Sequence, residues 1–79
     1  MQKEFIVRAI WDGEAAVWVA SSDDVPGLVT EAETIDQLLR KLQVMIPELL
    51  EANGVLDDRD EIPFTLLSQC TAIAHSNAA

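Results

Sequence analysis

The pattern of hydrophobic and polar positions near the start of the chain predicts a β-hairpin. Segments 4–11 (EFIVRAIW) and 15–21 (AAVWVAS) are rich in β-branched and aromatic residues. The dipeptide Asp12-Gly13, which is typical of tight hairpin turns, stands between them. A two-residue loop would set the strand register. In that register Phe5 lies opposite Ala20, Val7 opposite Trp18, and Ala9 opposite Ala16.

Both faces of the predicted hairpin are largely apolar, so both need cover. One face holds Phe5, Val7, Ala9, Trp11, Ala16, Trp18 and Ala20, and the other holds Ile6, Arg8, Ile10, Ala15, Val17 and Val19. We expect a helix on the Trp11 and Trp18 face, because its alanines leave room for close packing. The second face would then be covered by another polypeptide. We predict an oligomer interface there, formed by Ile6, Ile10, Val17 and Val19.

The next segment predicts a turn, a short strand and the start of a helix. Residues 22–27 form a polar turn in which Pro26 fixes its own φ and Gly27 can adopt a positive φ. A third strand is predicted over residues 28–32. Thr34 then has the position of a helix cap, because the sequence TIDQ has the form of a capping box.

Hydrophobic residues at helical spacing follow Thr34 and form one stripe. Its members are Ile35, Leu38, Leu39, Leu42, Met45, Ile46, Leu49 and Leu50. Pro47 predicts a kink or a break near Ile46, because proline removes one backbone hydrogen bond and clashes with the preceding turn. Asn53-Gly54 is expected to end the helix.

The remaining chain predicts a fourth strand and completes the fold. Segment 62–74 (IPFTLLSQCTAIA) has strand character, and residues 75–79 are expected to fray. A right-handed crossover through the helix places this strand parallel to the first one. The prediction is therefore one domain, residues 1–79, of the α+β class, with two layers and a four-stranded mixed sheet in the order 3-2-1-4.

The charge of the chain limits its partners. Five basic and fourteen acidic residues give a net charge of −9, which would repel nucleic acid and makes direct DNA or RNA binding an unfavourable hypothesis. The same charge would attract a basic protein, or it serves only to keep a small domain in solution. The sequence contains no apolar run of membrane-spanning length and no signal peptide. We expect a cytoplasmic protein whose single cysteine, Cys70, is a small core side chain.

The sequence contains few residues of the types that most often form catalytic or metal sites, with one histidine and one cysteine. His75 is the only histidine and lies in the segment expected to fray, so we predict no catalytic residue, no metal ligand and no cofactor. The acidic residues Asp57, Asp58, Asp60 and Glu61 lack the spacing of a calcium loop and are interpreted as a solvated loop. A second acidic group surrounds the third strand and consists of Asp23, Asp24, Glu31 and Glu33. A metal-dependent hydrolase would require several of them to converge with Asp36.

The run from Val19 to Leu39, VASSDDVPGLVTEAETIDQLL, resembles the signature of HicB-type antitoxin domains and their short stand-alone relatives. The matching features are an aromatic strand with Trp18, the turn from Asp24 to Gly27, the strand with Val29-Thr30, and the helix capped by Thr34. The resemblance implies a β-β-β-α-β domain, similar to part of ribonuclease H without its catalytic carboxylates. It also implies a partner, namely a small basic ribonuclease toxin. The DNA-binding segment of full antitoxins is not expected after Ala74.

Two hypotheses follow. In the first, the chain is a non-catalytic protein-binding module that contacts the toxin through Asp23, Asp24, Glu31 and Glu33. In the second, it is a stand-alone homo-oligomeric structural domain with no toxin partner, a homodimer or larger. The two are compatible.

Overall fold

The computed structural model describes residues 4–55 and 61–77 and has an α+β architecture of two layers. Its elements are β1 (Phe5–Asp12), β2 (Val17–Ser21), β3 (Val29–Ala32), α1 (Ile35–Ala52) and β4 (Phe64–Gln69). The four strands form one sheet in the order β3-β2-β1-β4, in which β4 is parallel to β1 and the other pairs are antiparallel. The predicted fold class and strand order are confirmed.

The register of the first hairpin differs from the prediction. Ala9 lies opposite Ala20, and Trp11 lies opposite Trp18. The loop contains four residues, 13–16, because the Asp12 carboxylate accepts hydrogen bonds from the backbone N–H groups of two of them at 3.0 and 3.3 Å. The predicted two-residue loop and its register are therefore wrong, and Ala15 and Ala16 belong to the loop. The shift is four residues, an even number, so every strand residue keeps its predicted face.

The hydrophobic core lies between α1 and the sheet face that carries both tryptophans, as predicted. From the helix it contains Leu38, Leu42, Ile46 and Leu50, and from the sheet Phe5, Val7, Ala9, Ala20 and Ala32. Trp18 packs against this cluster, and its ring centroid lies 5.4 Å from that of Trp11. The small side chains of β1 and β2 allow the helix to lie close to the centre of the sheet.

Both ends of α1 follow the sequence signals. The Thr34 hydroxyl accepts a hydrogen bond of 3.1 Å from the N–H of Gln37. At the other end, Gly54 has φ +68 and donates to the carbonyl of Glu51, while Val55 donates to that of Leu50. This is a Schellman motif. Within the helix, Pro47 is accommodated without a break, so a break near Ile46 is wrong, whereas a kink there stays a prediction.

The fourth strand is shorter than predicted. It ends at Gln69, which lies opposite Ile10, and β1 itself ends two residues later at Asp12. The described ladder between β1 and β4 therefore ends before β1 itself does. Residues 70–77 form neither strand nor helix, and all are exposed. Cys70 is among them, so its predicted place in the core is wrong.

Candidate partner-binding surface

In the turn after β2, two side chains make hydrogen bonds to the backbone of β1. The last residue of β2, Ser21, lies opposite Arg8, so the backbone groups of Ile6 lie beyond the end of that strand. The Ile6 N–H donates to Asp24 Oδ2 at 2.9 Å, and the Ile6 carbonyl accepts from Ser22 Oγ at 2.6 Å. Two side chains therefore provide the hydrogen bonds that another strand residue would have made.

The same turn is anchored to the core. Ser22 Oγ also accepts from the N–H groups of Asp24 and Val25, at 3.0 and 3.2 Å. Val25 and Leu28 are buried, and Gly27 between them has φ +81, a value that favours glycine. The conformation of the turn between β2 and β3 is thus explained by packing and hydrogen bonding.

The sheet face opposite α1 carries a group of hydrophobic side chains, which we call the outer patch; Val17 and Val19 are half-buried and the other members are exposed. The exposed Arg8 lies on the same face, between Ile6 and Ile10 and opposite Leu67. Strand alternation and the observed registers place six residues on it, namely Ile6, Ile10, Val17, Val19, Val29 and Leu67. Ile10 lies directly opposite Val19, and the others are direct or diagonal neighbours across the strands. Ile10 is 61% exposed and Val29 is 69% exposed. The helix cannot cover this patch because it packs on the other side.

The structure places the predicted interface residues Ile6, Ile10, Val17 and Val19 together on the outer patch. Their role as an interface stays a prediction. Sequence reasoning missed Val29 and Leu67 as members of the same surface. Strand alternation was the available signal, but it assigns a residue to a face only after the pairing of β3 and β4 with the rest of the sheet is known.

Three of the four predicted acidic residues lie at the border of the outer patch. Glu31 is opposite Val19 and so belongs to the same sheet face. Asp23 and Asp24 line a shallow concavity together with Ile6 and Arg8. Asp23 and Glu31 are exposed, whereas Asp24 is half-buried and its carboxylate is engaged by a backbone N–H.

The fourth acidic residue, Glu33, lies after the end of β3, in the bend before α1, and is exposed. A basic side chain approaches β3 from the helix, because Lys41 Nζ donates to the Glu31 carbonyl at 2.5 Å. The carboxylate of Glu31 stays on the outer face of the sheet. The acidic border therefore runs along the β2–β3 side of the patch.

Metal binding and membrane spanning depend on features other than the outer patch. Within residues 4–55 and 61–77, no group of three or more His, Cys, Asp or Glu side chains is arranged to hold a metal ion. His75 is exposed, as is Glu61, while Asp57, Asp58 and Asp60 lie outside the described residues. In the same part of the chain, no helix is both long enough and apolar enough to cross a membrane.

Comparisons with known proteins agree with this architecture. The family model described as "Domain of unknown function (DUF1902)" matches residues 4–75. A crystal structure of a hypothetical protein from the extremely thermophilic bacterium Thermus thermophilus is 54% identical to this chain, with a TM-score of 0.70. The alignment covers 94% of this chain and 100% of that one. No curated protein matches. Neither of the two matches names the HicB family, so that resemblance stays a prediction.

Proposed function

The chain belongs to the DUF1902 family, a domain of unknown function, and we propose that it acts as a non-catalytic protein-binding module of the HicB antitoxin type. In this proposal it binds and neutralises a small basic ribonuclease. The observation that carries the proposal is the outer patch, a mostly apolar surface that surrounds Arg8 and is bordered by carboxylates. The resemblance of residues 18–39 to the antitoxin signature gives the class of partner.

The apolar part of the surface favours a protein partner. Contiguous apolar patches on small proteins often mark interaction sites, whereas hydrophobic residues scattered singly on a surface do not. Burial of about 500 Å² of apolar area contributes on the order of 12 kcal/mol before the costs of association. The outer patch is in the centre of the sheet face, where a partner would exclude water most completely. Ile10 lies on the inner strand β1, so we expect its side chain to contribute most to the binding free energy.

The acidic border favours a basic partner. The chain has a net charge of −9, and Asp23, Asp24 and Glu31 stand at one side of the patch. A ribonuclease binds the phosphates of RNA with basic side chains, and carboxylates placed against those side chains compete with the phosphates. The apolar contacts would then provide most of the affinity, and the charges would provide the rate of association and the choice of partner.

Co-expression with the product of a small basic, toxin-like reading frame adjacent to the gene for this chain tests the proposal. We expect the wild-type chain to form a complex that co-purifies and to relieve growth inhibition. The variant Ile10→Lys is expected to lose the complex, because it replaces an apolar contact by a second cation near Arg8, which would also repel a basic partner. Val44→Lys is the matched control, since Val44 is 59% exposed, nearly as much as Ile10, but lies on α1 away from the sheet.

Two results would contradict this function. In one, growth inhibition persists with the wild-type chain and no complex forms. In the other, the Ile10 and Val44 variants bind the ribonuclease equally well, which would remove the outer patch from the interface.

The alternative function is a stand-alone homo-oligomeric domain with no toxin partner. The exposure of Ile10 and its neighbours also favours this function, because a second copy seated on the outer patch would cover the same side chains. Sedimentation at micromolar concentration distinguishes the two: the alternative requires an oligomer that Ile10→Lys dissociates and that forms without any ribonuclease.

A further inference from the structure

One long segment of this acidic chain is uncharged. Residues 62–77 (IPFTLLSQCTAIAHSN) contain no Asp, Glu, Lys or Arg, although charged residues are 24% of the whole sequence. The segment includes all of β4 and continues through residues 70–77, which we call the arm. In a chain of net charge −9, this is the region where two copies can approach each other with the least electrostatic repulsion.

Within residues 4–55 and 61–77, the outer edge of β4 is paired with no other strand. β4 is the last strand in the order β3-β2-β1-β4, so only one of its sides is paired within the described sheet. Exposed strand edges are usually shielded by charged side chains, proline, bulges or short length. β4 has six residues, FTLLSQ, without a charge or a proline. The opposite edge, β3, has only four residues and carries Glu31, so it has two of the usual protections.

The direction of the backbone groups on β4 follows from one contact. Phe5 donates its N–H to the carbonyl of Pro63 at 3.4 Å, so the groups of residue 63 face β1. Because successive residues of a strand point to opposite sides, Phe64, Leu66 and Ser68 present their N–H and C=O groups to the open edge. If the strand continues, Ala72 presents its groups to the same side.

The chain is more extended than a compact domain of its length. The radius of gyration is 15.6 Å and the longest axis is 60 Å, whereas a compact chain of this length has a radius of about 12 Å. Eight extended residues span about 26 Å. Every arm residue is exposed, and Ile73 is 83% exposed. The arm thus carries a strand-forming sequence beyond the place where its own sheet ends.

We propose that β4 and the arm form a homodimer seam, in which these segments of two copies pair antiparallel around a two-fold axis. The two sheets then join into one sheet of eight strands, and each arm lies along the open β4 edge of the other copy. In the register centred on Cys70, Ser68 of one copy lies opposite Ala72 of the other. Leu67 then lies opposite Ile73, which covers both exposed side chains. This seam covers Leu67, leaves the other five members of the outer patch accessible, and does not depend on a ribonuclease partner.

Sedimentation equilibrium of the full chain over micromolar concentrations tests the seam. Ala72→Pro removes an N–H that the seam uses, and it lies in the arm, so it does not disturb β1, α1 or the core. We expect a wild-type dimer whose dissociation constant rises about tenfold or more in this variant. Ala72→Val is the matched control, because it keeps the N–H and has a higher strand propensity, and it should dimerise at least as well as the wild type.

The variant Ile10→Lys separates this seam from association through the outer patch. It should leave the dissociation constant unchanged if the dimer forms at β4. A monomeric wild-type chain would overturn the proposal, and so would an oligomer that Ala72→Pro leaves unchanged. If the wild type is larger than a dimer, an association step that Ala72→Pro weakens still supports the seam.

Discussion

The carboxylate of Asp24 accepts a hydrogen bond of 2.9 Å from the backbone N–H of Ile6, which lies 18 residues earlier in the chain. The contact joins the turn before β3 to the strand at the centre of the sheet. It gives a structural role to a residue that the sequence marks as a partner contact. The same turn borders the outer patch, so its position determines where the acidic side chains stand.

Removal of this contact should lower stability. We expect Asp24→Ala to reduce the free energy of unfolding by about 1–2 kcal/mol, because the N–H of Ile6 loses its acceptor. Asp24→Asn should cost less, since its side-chain oxygen can still accept. Urea denaturation measures the change. The neighbouring variant Asp23→Ala is the control and should stay within about 0.5 kcal/mol of the wild type.

Ser22 and Asp24 are expected to act as a unit. Ser22 Oγ donates to the Ile6 carbonyl and accepts from the Asp24 N–H, so either substitution loosens the same turn. In a double-mutant cycle, Ser22→Ala and Asp24→Ala should therefore show a coupling energy of about 0.5 kcal/mol or more. Strictly additive effects would mean that the two side chains hold the turn independently.

The N-terminal cap of α1 is open to a direct test. Thr34→Ala removes the acceptor of the Gln37 N–H and should cost about 1 kcal/mol. Thr34→Ser keeps the hydroxyl and should retain most of the stability. Thermal unfolding followed by circular dichroism compares the three proteins. An alanine variant as stable as the serine variant would show that the cap contributes little here.

Pro47 should reduce the stability of the helix that contains it. It leaves the carbonyl of Gln43 without its usual helical donor, while α1 continues to Ala52. We expect Pro47→Ala to raise the free energy of unfolding by about 1–3 kcal/mol. Glu48→Ala, at the next and exposed position, should change it by less than about 0.5 kcal/mol. A destabilised alanine variant would instead show that contacts of the proline ring matter more than the missing hydrogen bond.

The core contact between helix and sheet predicts a large difference between two positions on α1. Leu42 is completely buried, and Val44 is 59% exposed. Leu42→Ala should cost about 2–5 kcal/mol, because it leaves a cavity against the sheet. Val44→Ala should cost less than about 0.5 kcal/mol. Chemical denaturation of both variants checks whether the helix packs on the predicted face.

Local patterns in the sequence were enough to predict the elements, their order and their faces. Strand alternation has a period of two residues and a helix a period of 3.6, so the apolar stripe of α1 and the two faces of the hairpin can be read without knowing any distant contact. The Thr34 cap and the glycine at position 54 are equally local, since each depends on residues within one turn. For the same reason, four members of the outer patch could be assigned to one sheet face from the sequence alone, without knowledge of how β3 and β4 pair.

Tertiary structure decided what depends on contacts between distant residues. The pairing of β1 with β2 decided the hairpin register, in which Trp11 lies opposite Trp18, and the ladder between β1 and β4 ends at Gln69 although β1 continues to Asp12. Packing of Leu42, Ile46 and Leu50 holds α1 together across Pro47. The contact of Asp24 with Ile6, and the places of Val29 and Leu67 on the outer patch, exist only once the strands are paired. A local pattern specifies the conformation of a segment, but which neighbours satisfy its backbone and cover its side chains is a property of the assembled chain.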